Sequence, residues 1–479
     1  MNTIATPEPF RFEDRTGLTP ADLGRILDLA LSSGGDFAEV FLEYRQSSSA
    51  HMEDDIIKDT SENMSLGLGI RVWSGETTGY GYTNDLSREK IERTARSAAA
   101  VSAGPAKMRA LDLRESVVDD RLYRALAPAY LAAFETKIDL VRRAYAACQK
   151  ADPAVKKVKA SIQDLIQHVL VANSEGLLVR DSRPLLKLTC VGIAERGTLR
   201  EYGYSGGGGR VGLEYFDRTL SPETIGIEAA REALDLLDAC DAPAGEMPVV
   251  LAPGHAGVLI HEAVGHLLEA DFTRKKTSVF WNKGGKRVGA PGVTIYDDPT
   301  ISGSRGSYAV DDEGTIPQKT LLVEKGVIRG LLQDKLSAHL MNRPLTGHGR
   351  RQDYTDVPIP RMANTYIDRG EYDPEEILRS VKKGFYAERF TGGQVEDSGK
   401  FTFSVSSGWL IEDGRRTAPV KQATLIGSNV DILGKVEMVG SDLAFGLQTG
   451  TCSKEGQDVP VNDGCPTLKI SAMTVGGRR

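Results

Sequence analysis

The run His255-Ala-Gly-Val-Leu-Ile-His261-Glu262-Ala-Val-Gly-His266-Leu-Leu-Glu269-Ala-Asp271 gathers imidazoles and carboxylates into one short, mostly apolar segment. Imidazole nitrogens bind zinc, and a glutamate next to a zinc ligand works as general base on water, so the run points to a zinc peptidase. In the familiar H-E-x-x-H signature the two histidines lie four residues apart on one helical face. Here the spacing is H-E-x-x-x-H. A step of five turns the side chain by roughly 500°, which leaves His261 and His266 about 140° apart on a regular helix. A single π-type turn adds one residue to a turn and brings the imidazoles together again. Gly265, directly before His266, lowers the local helix propensity and makes that distortion cheaper. The spacing therefore predicts a π turn near Val264-Gly265. The plainer reading, two ordinary histidines on a buried helix, stands beside it, and the adjacent Glu262 and the apolar context favour the metal.

A catalytic zinc takes three protein ligands and keeps a fourth position open. His255, Glu269 and Asp271 are near in sequence, and the five cysteines offer further candidates. Cys148 and Cys240 sit in helical Ala/Leu-rich stretches and Cys190 in a strand-like run. All three read as core residues, since free cysteine is among the most buried types. Cys452 lies in Gly450-Thr-Cys452-Ser-Lys-Glu-Gly456, a glycine-bounded polar loop where packing gives a cysteine little reason to be. It is the preferred third ligand. Cys465, in Gly464-Cys465-Pro466, is its rival in the same region.

Several segments carry a family likeness: His261-Glu-Ala-Val-Gly-His266 with Leu-Leu-Glu-Ala-Asp-Phe after it, Thr277-Ser-Val-Phe280, Val310-Asp-Asp-Glu-Gly-Thr315, Gly349-Arg-Arg-Gln352, Pro360-Arg-Met-Ala-Asn-Thr-Tyr366, Gly392-Gly-Gln-Val395, Ala423-Thr-Leu-Ile-Gly427 and Cys452-Ser-Lys-Glu-Gly-Gln457. In order and content they resemble the TldD/PmbA family of bacterial and archaeal metallopeptidases. With a compatible N-terminal half, the resemblance covers essentially the full chain. That family divides into a TldD-like subunit with H-E-x-x-x-H and a TldE (PmbA)-like subunit without it, and this chain resembles the TldD side. The resemblance implies His261 and His266 as histidine ligands, Glu262 as the catalytic glutamate and Cys452 as the third ligand. It also implies peptides or unfolded protein segments as substrates, and a partner of the same fold, either a TldE-like subunit or a second copy in a homodimer. One position departs, Cys465, where the family more often has glutamine.

Zinc (Zn2+) at such a site acidifies water and polarises the scissile carbonyl. Glu262 then takes the proton from that water and passes it to the leaving amine. The rival from another class is a non-catalytic, metal-stabilised scaffold or peptide-binding subunit, for which a closed site with four protein ligands is expected. A redox role for Cys452 and Cys465 lacks C-x-x-C spacing. Arg350 and Arg351, between Gly349 and Gln352, are candidates for binding substrate carboxylates or carbonyls. A surface charge pair is their alternative. Gly206-Gly-Gly-Gly209 lacks the Gly-Lys-Ser/Thr ending of a phosphate loop and reads as a flexible strand connector. Asp311-Asp-Glu-Gly314 lacks the spaced ligands of a calcium loop and reads as a solvated turn.

The elements that must position these residues need a large chain, and 479 residues imply two or three domains. Hydrophobic residues at 40% and charged residues at 26% are ordinary for a globular protein. A net charge of −7 leaves no basic footprint, which argues against nucleic acid as a partner. Residues Met1–Phe10 show neither a charged leader nor an apolar stretch, and no apolar run reaches membrane-spanning length. Five scattered cysteines form no disulfide framework. The cytoplasm is the expected compartment, with no membrane partner.

The expected fold class is α+β. Thr19 caps a helix that starts at Pro20 and ends by Gly34-Gly35. Phe37–Tyr44, His51–Ile57, Ser65–Trp73 and Thr78–Tyr82 alternate like antiparallel strands, with a turn at Ser74-Gly75-Glu76-Thr77. Helices follow over Ser87–Val101, Tyr130–Lys150 and Ser221–Leu237, with strands and an Asn173–Gly176 turn within Val155–Cys190. These make an N-terminal α+β domain, 1–240, an α/β-sandwich-like layer of helices on an antiparallel sheet. The linker Asp241–Glu246 leads to a C-terminal domain, 247–479, a β-rich barrel or sandwich carrying the metal-site helix. Its markers include a hairpin turn at Glu324-Lys-Gly326 and a capped helix from Asp373.

Overall fold

The computed structural model describes residues 10–107, 112–118, 120–123, 125–395 and 399–477. The leaderless start read from the sequence falls, except for Phe10, outside the described residues. Helix and strand occupy 24% and 43% of the chain, a mixed α and β architecture.

The N-terminal sheet is built on four long strands. Phe37–Glu53 pairs on one side with Ile56–Ser74 and on the other with Val155–Asn173, which in turn pairs with Leu177–Arg196. Thr77–Thr83 extends one edge, and Leu199–Gly209 and the short Arg114–Ser116 both pair with Leu177–Arg196. The alternation read from the sequence broke the first strand at Arg45-Gln-Ser-Ser-Ser49, yet the strand runs through. Ser47, Ser48 and Ser49 are paired on both sides, with Asn63, Glu62 and Ser61 and with Leu165, Asp164 and Gln163. Ladder hydrogen bonds come from backbone, so a polar stretch between two partners stays extended.

Side chains alternate across the sheet. Ala38, Val40 and Leu42 face the helices Pro20–Ala30 and Arg88–Ala99 in one apolar cluster. Ala50, Ile162, Leu188 and Cys190 face Phe134–Ala151 and Pro222–Leu237 in another. Thr19 closes the predicted cap in full: its hydroxyl accepts from the Asp22 N–H while the Asp22 carboxylate accepts from the Thr19 N–H. The opposite face, Glu39, Phe41, Glu43, Arg71 and Arg183, meets the C-terminal half. There Phe41, Val169, Val171 and Val179 pack with Val310.

In the C-terminal half, Gly245–Leu251 lies between Leu468–Gly476 and Lys383–Val395, and Lys400–Glu412 and Arg415–Ser428 follow. Thr424 to Ile426 pair back onto Gly476 to Thr474 and close a five-stranded barrel. A second, mixed sheet includes Ile295–Asp297, Asn364–Ile367 and Asn462–Cys465, and the hairpin strands Thr320–Glu324 and Val327–Ile328 bear out the turn read at Glu324-Lys-Gly326. The helix predicted from Asp373 is present as Pro374–Arg379.

Four readings are corrected. Cys240 is exposed, not core: the helix ends at Leu237, and Cys240-Asp241 forms a two-residue strand on Val420-Lys421. Gly206–Gly209 is the buried end of a strand rather than a connector, and a side chain at Gly208 would meet the Leu186 carbonyl at 2.0 Å. Asp311, Asp312 and Glu313 are buried rather than solvated, because buried arginines and backbone N–H groups take up their oxygens. Cys452 lies not in a loop but on the strand Thr451–Lys454, which pairs with Gln457–Pro460. Cys148 and Cys190 are buried as expected. Among the described residues, no helix is long and apolar enough to cross a membrane.

Candidate metal centre

The motif segment follows the barrel strand Gly245–Leu251 and is not one regular helix. A 3-10 turn at His255–Gly257 and an α turn at Val258–Ile260 lead into a π turn at His261–Gly265, and a 3-10 turn follows at His266–Leu268. The π turn stands where the five-residue spacing predicts it. Leu259, Ile260, Ala263, Val264 and Leu268 share an apolar cluster with the barrel residues Val249, Leu251, Phe385 and Phe403. That packing holds the segment in a conformation its own hydrogen bonds do not favour. Gly265 is fixed by space as well as by propensity: a Cβ there would lie 2.0 Å from the Met362 sulfur.

Across the π turn the two rings stand at 88° to each other, their centroids 5.1 Å apart. Cys452 reaches them from the hairpin 186 residues downstream, its Sγ 3.3 Å from His266 Nε2. One donor atom from each of His261, His266 and Cys452 falls within 4.8 Å of the others. In a tetrahedral zinc site with bonds of about 2.0 and 2.3 Å, neighbouring nitrogen and sulfur ligands are about 3.6 Å apart, so this spacing fits the ion. Two imidazoles and a thiolate are also a donor set that zinc accepts.

Neighbouring charges set the state of each donor. His266 Nδ1 lies 3.0 Å from Glu269 Oε2, which fixes a proton on Nδ1 and aims Nε2 at Cys452. Lys454 Nζ donates to Asp271 at 2.9 Å and to the Pro360 carbonyl at 3.1 Å, and stands 3.0 Å from Glu269 as an ion pair. His261 Nδ1 is 2.7 Å from Asp463, close but not aligned as a hydrogen bond. Burial pushes the Cys452 thiol up, but the two imidazoles outweigh it and hold the thiol well below its ordinary value, which favours thiolate. Burial disfavours charge on His266 too, yet Glu269 and Cys452 raise it to about 10. Glu269 is pulled down to about 2 against its burial by Lys454 and His266.

Glu262 has a different setting. Its side chain is 30% exposed, with Oε2 3.8 Å from His266 Nε2, so it borders the donor cluster on an open side. Burial raises its carboxyl above the ordinary range, partly countered by the two histidines. That is the direction a general base or acid requires.

The other candidates lie elsewhere or play other parts. His255 Nδ1 faces the Phe390 N–H at 3.4 Å. Cys465 is fully buried and donates to the Ala252 carbonyl at 3.4 Å, away from the donor cluster. Arg350 and Arg351 are not a surface pair. Arg350 donates to the Met362 and Pro460 carbonyls and stacks on Tyr308, while Arg351 pairs with Glu39 and stacks on Phe41. Sequence reasoning missed Asp463, Lys454 and Arg361. Arg361, fully buried, donates to the Cys452 carbonyl at 2.6 Å and to that of Gln457 at 3.1 Å, pinning the hairpin. Lys454 had a local signal, standing two residues from Cys452 on the same strand face; Asp463 and Arg361 had none.

Models of the PmbA/TldA metallopeptidase domain 1, central domain and C-terminal domain match residues 38–102, 132–237 and 244–477. A Haemophilus influenzae protein named metalloprotease TldD homolog is 40% identical over 99% of this chain and 98% of its own length. A namesake from Buchnera aphidicola is 38% identical over 92% and 93%. A Saccharolobus solfataricus protein named zinc metalloprotease TldD homolog is 33% identical over 49% of this chain and 52% of its own. Among solved structures, TldE from Thermococcus kodakarensis superposes with a TM-score of 0.74 at 18% identity, over 95% of this chain and 99% of that one, so the two share a fold. With three domain models in sequence and near full-length relatives at 40% identity, this chain belongs to the PmbA/TldD family of metallopeptidases.

Proposed function

We propose that this chain is a zinc peptidase of the TldD kind, acting in the cytoplasm on peptides or unfolded protein segments. The convergence of His261, His266 and Cys452 beside the half-open Glu262 is the observation that carries this reading. His261, His266 and Cys452 would hold the ion, and the name of the Saccharolobus solfataricus relative supports zinc. When bound, zinc supplies Lewis acidity that makes water nucleophilic at neutral pH and polarises a carbonyl. Glu262 accepts the proton from the attacking water and returns it to the leaving amine. Glu269, held by Lys454, keeps the Nε2 lone pair of His266 on the donor side. A thiolate ligand donates more charge than a third imidazole, which makes the base more necessary.

The scaffold reading calls for a fourth protein ligand. Cys465, the other cysteine of this region, does not supply one, since its thiol is engaged by backbone carbonyls. We also propose a boundary at Asp241–Glu246 between functional halves 1–240 and 247–479, and pairing with a TldE-like subunit or a second copy.

The test is stoichiometric metal analysis joined to a peptidase assay, run on the chain alone and with any TldE-like subunit of the same source. Cys452→Ser is expected to lose most of its zinc and its activity. Cys465→Ser is expected to stay close to the parent in both, since serine can keep the bond to Ala252. Damage confined to the Cys465 variant would reject the ligand set while leaving a peptidase possible.

A further inference from the structure

Between the N-terminal sheet and the Cys452 hairpin lies a cavity of about 330 Å³ whose walls hold six arginines, Arg45, Arg183, Arg210, Arg305, Arg350 and Arg351. Two carboxylates, Asp312 and Asp458, share the lining. Arg183 is answered by Asp181 and Asp312, and Arg351 by Glu39. Arg210, Arg305 and Arg350 are each more than nine-tenths buried, and among the described residues none has a carboxylate within ion-pair distance. Backbone carbonyls meet only part of their hydrogen-bonding capacity. Arg210 donates to Ser307 and Pro184, Arg350 to Met362 and Pro460, and Arg305 to Gly450 through Nε alone. A guanidinium has five N–H donors, so Arg305 keeps both terminal NH2 groups for something else. Burial and neighbouring guanidinium groups hold Arg210 and Arg350 below the usual arginine range, and the same causes act on Arg305.

A buried cation without a counter-charge is costly, and three around one cavity are explained by an anion that fills it. We propose that this cavity is an oxyanion-binding site, taking a carboxylate or phosphate group against Arg210, Arg305 and Arg350. Its volume admits a single small anion or the terminal residue of a peptide. It adjoins a groove of about 290 Å³ that shares Arg45, Leu165, Leu185 and Arg305, leaving room for a longer ligand. Thr451, directly before Cys452, and its cross-strand partner Pro460 line the cavity, so a bound anion braces the hairpin that carries the thiol. The oxyanion can come from the C-terminus of a peptide or from free phosphate. The first source rests on the peptidase reading and the second does not.

Binding is measured on the full chain carrying Glu262→Gln, which takes turnover out of the readout whatever reaction the centre performs. Calorimetric titration and thermal melting at constant ionic strength compare inorganic phosphate, a peptide with a free C-terminus and the same peptide amidated, with chloride as control. Saturable binding of phosphate or the free-acid peptide, with a rise in Tm that chloride does not give, is expected. Arg305→Gln should weaken that binding at least tenfold, yet melt without anion at or above the parent, because an unanswered buried charge has gone. A merely structural arginine would instead lower Tm without anion. Arg350→Gln serves as second variant if Arg305→Gln does not fold, and the exposed Arg329→Gln should change neither quantity. Binding lost on amidation assigns the site to a substrate carboxylate; phosphate binding with both peptides inert assigns it to a free anion. No saturable binding by phosphate or free-acid peptide, or full binding in Arg305→Gln, overturns the proposal.

Discussion

At the junction of the two halves, Arg71 is held between Glu39 and Glu313, and Arg351 takes the other oxygen of Glu39. Asp312 receives Arg183 on one oxygen and the Arg351 N–H on the other, and the Lys335 N–H completes Glu313. Every carboxylate oxygen of these three residues has a donor from the chain itself. Around His261 the pattern is reversed. His261, His266 and Cys452 bring electron-pair donors toward one point, with Lys454 and the carboxylates arrayed behind them. Both clusters are buried and charged, but the first is closed by the protein's own charges, whereas in the second three donor atoms converge on one point. Burial and charge alone therefore do not mark a functional site; the direction in which lone pairs point does.

Four variants break or sharpen this contrast. The largest effect is expected from Glu262→Gln, which should lower peptide hydrolysis by about 10²- to 10⁴-fold while bound zinc stays at the parent level. Activity within a few-fold of the parent would remove Glu262 from the chemistry. Arg71→Met leaves Glu39 and Glu313 buried with too few donors, and should cost about 3–5 kcal/mol of unfolding free energy in denaturant titration. Zinc per folded molecule should not change. A cost under about 1 kcal/mol would mean that the closed cluster is not what joins the halves.

The third test is titration. Glu43 is fully buried, and burial pushes its carboxyl up to about 7 despite the N–H donors of Gln167 and Tyr354. The unfolded chain releases this proton near 4.5 and the folded chain near 7. The stability linked to Glu43 is therefore complete below about pH 4.5, is lost as the pH rises to about 7, and is flat above. The difference in unfolding free energy between the parent and Glu43→Gln should shift by on the order of 3 kcal/mol across that window. A pH-independent difference would show that Glu43 ionises freely in the fold. The smallest effect is expected at Glu269, where glutamine keeps the shape but not the charge behind His266. Zinc affinity measured by chelator competition should fall about 10- to 100-fold, as for other residues that orient a ligand. An unchanged affinity would make the Lys454 network structural only.

Much of the candidate site was legible in the chain. Five-residue spacing and Gly265 foretold the π turn because both act through local backbone geometry. Thr19-Pro20, the Asn173–Gly176 turn and Glu324-Lys-Gly326 foretold their cap and turns for the same reason. Asp311–Gly314 was misread as exposed, and the surface alternative for Arg350-Arg351 fails, because a charged run is solvated unless distant partners arrive; here they arrive as Arg71 and Arg183 for the carboxylates, Glu39 for Arg351, and the Met362 and Pro460 carbonyls for Arg350. Cys240 was misread because its helix ends at Leu237, three residues before it.

By itself, then, the sequence determined what short-range forces determine: caps, tight turns, the amphipathic helices and the distortion that puts two imidazoles on one side. The tertiary structure decided which distant groups meet. Only the pinned hairpin brings Cys452 within 3.3 Å of His266, and only the stacking of sheet on barrel half closes the carboxylates with arginines. Those pairings join residues separated by hundreds of positions, and Coulomb forces in a buried site depend on distance and dielectric, which no local spacing encodes.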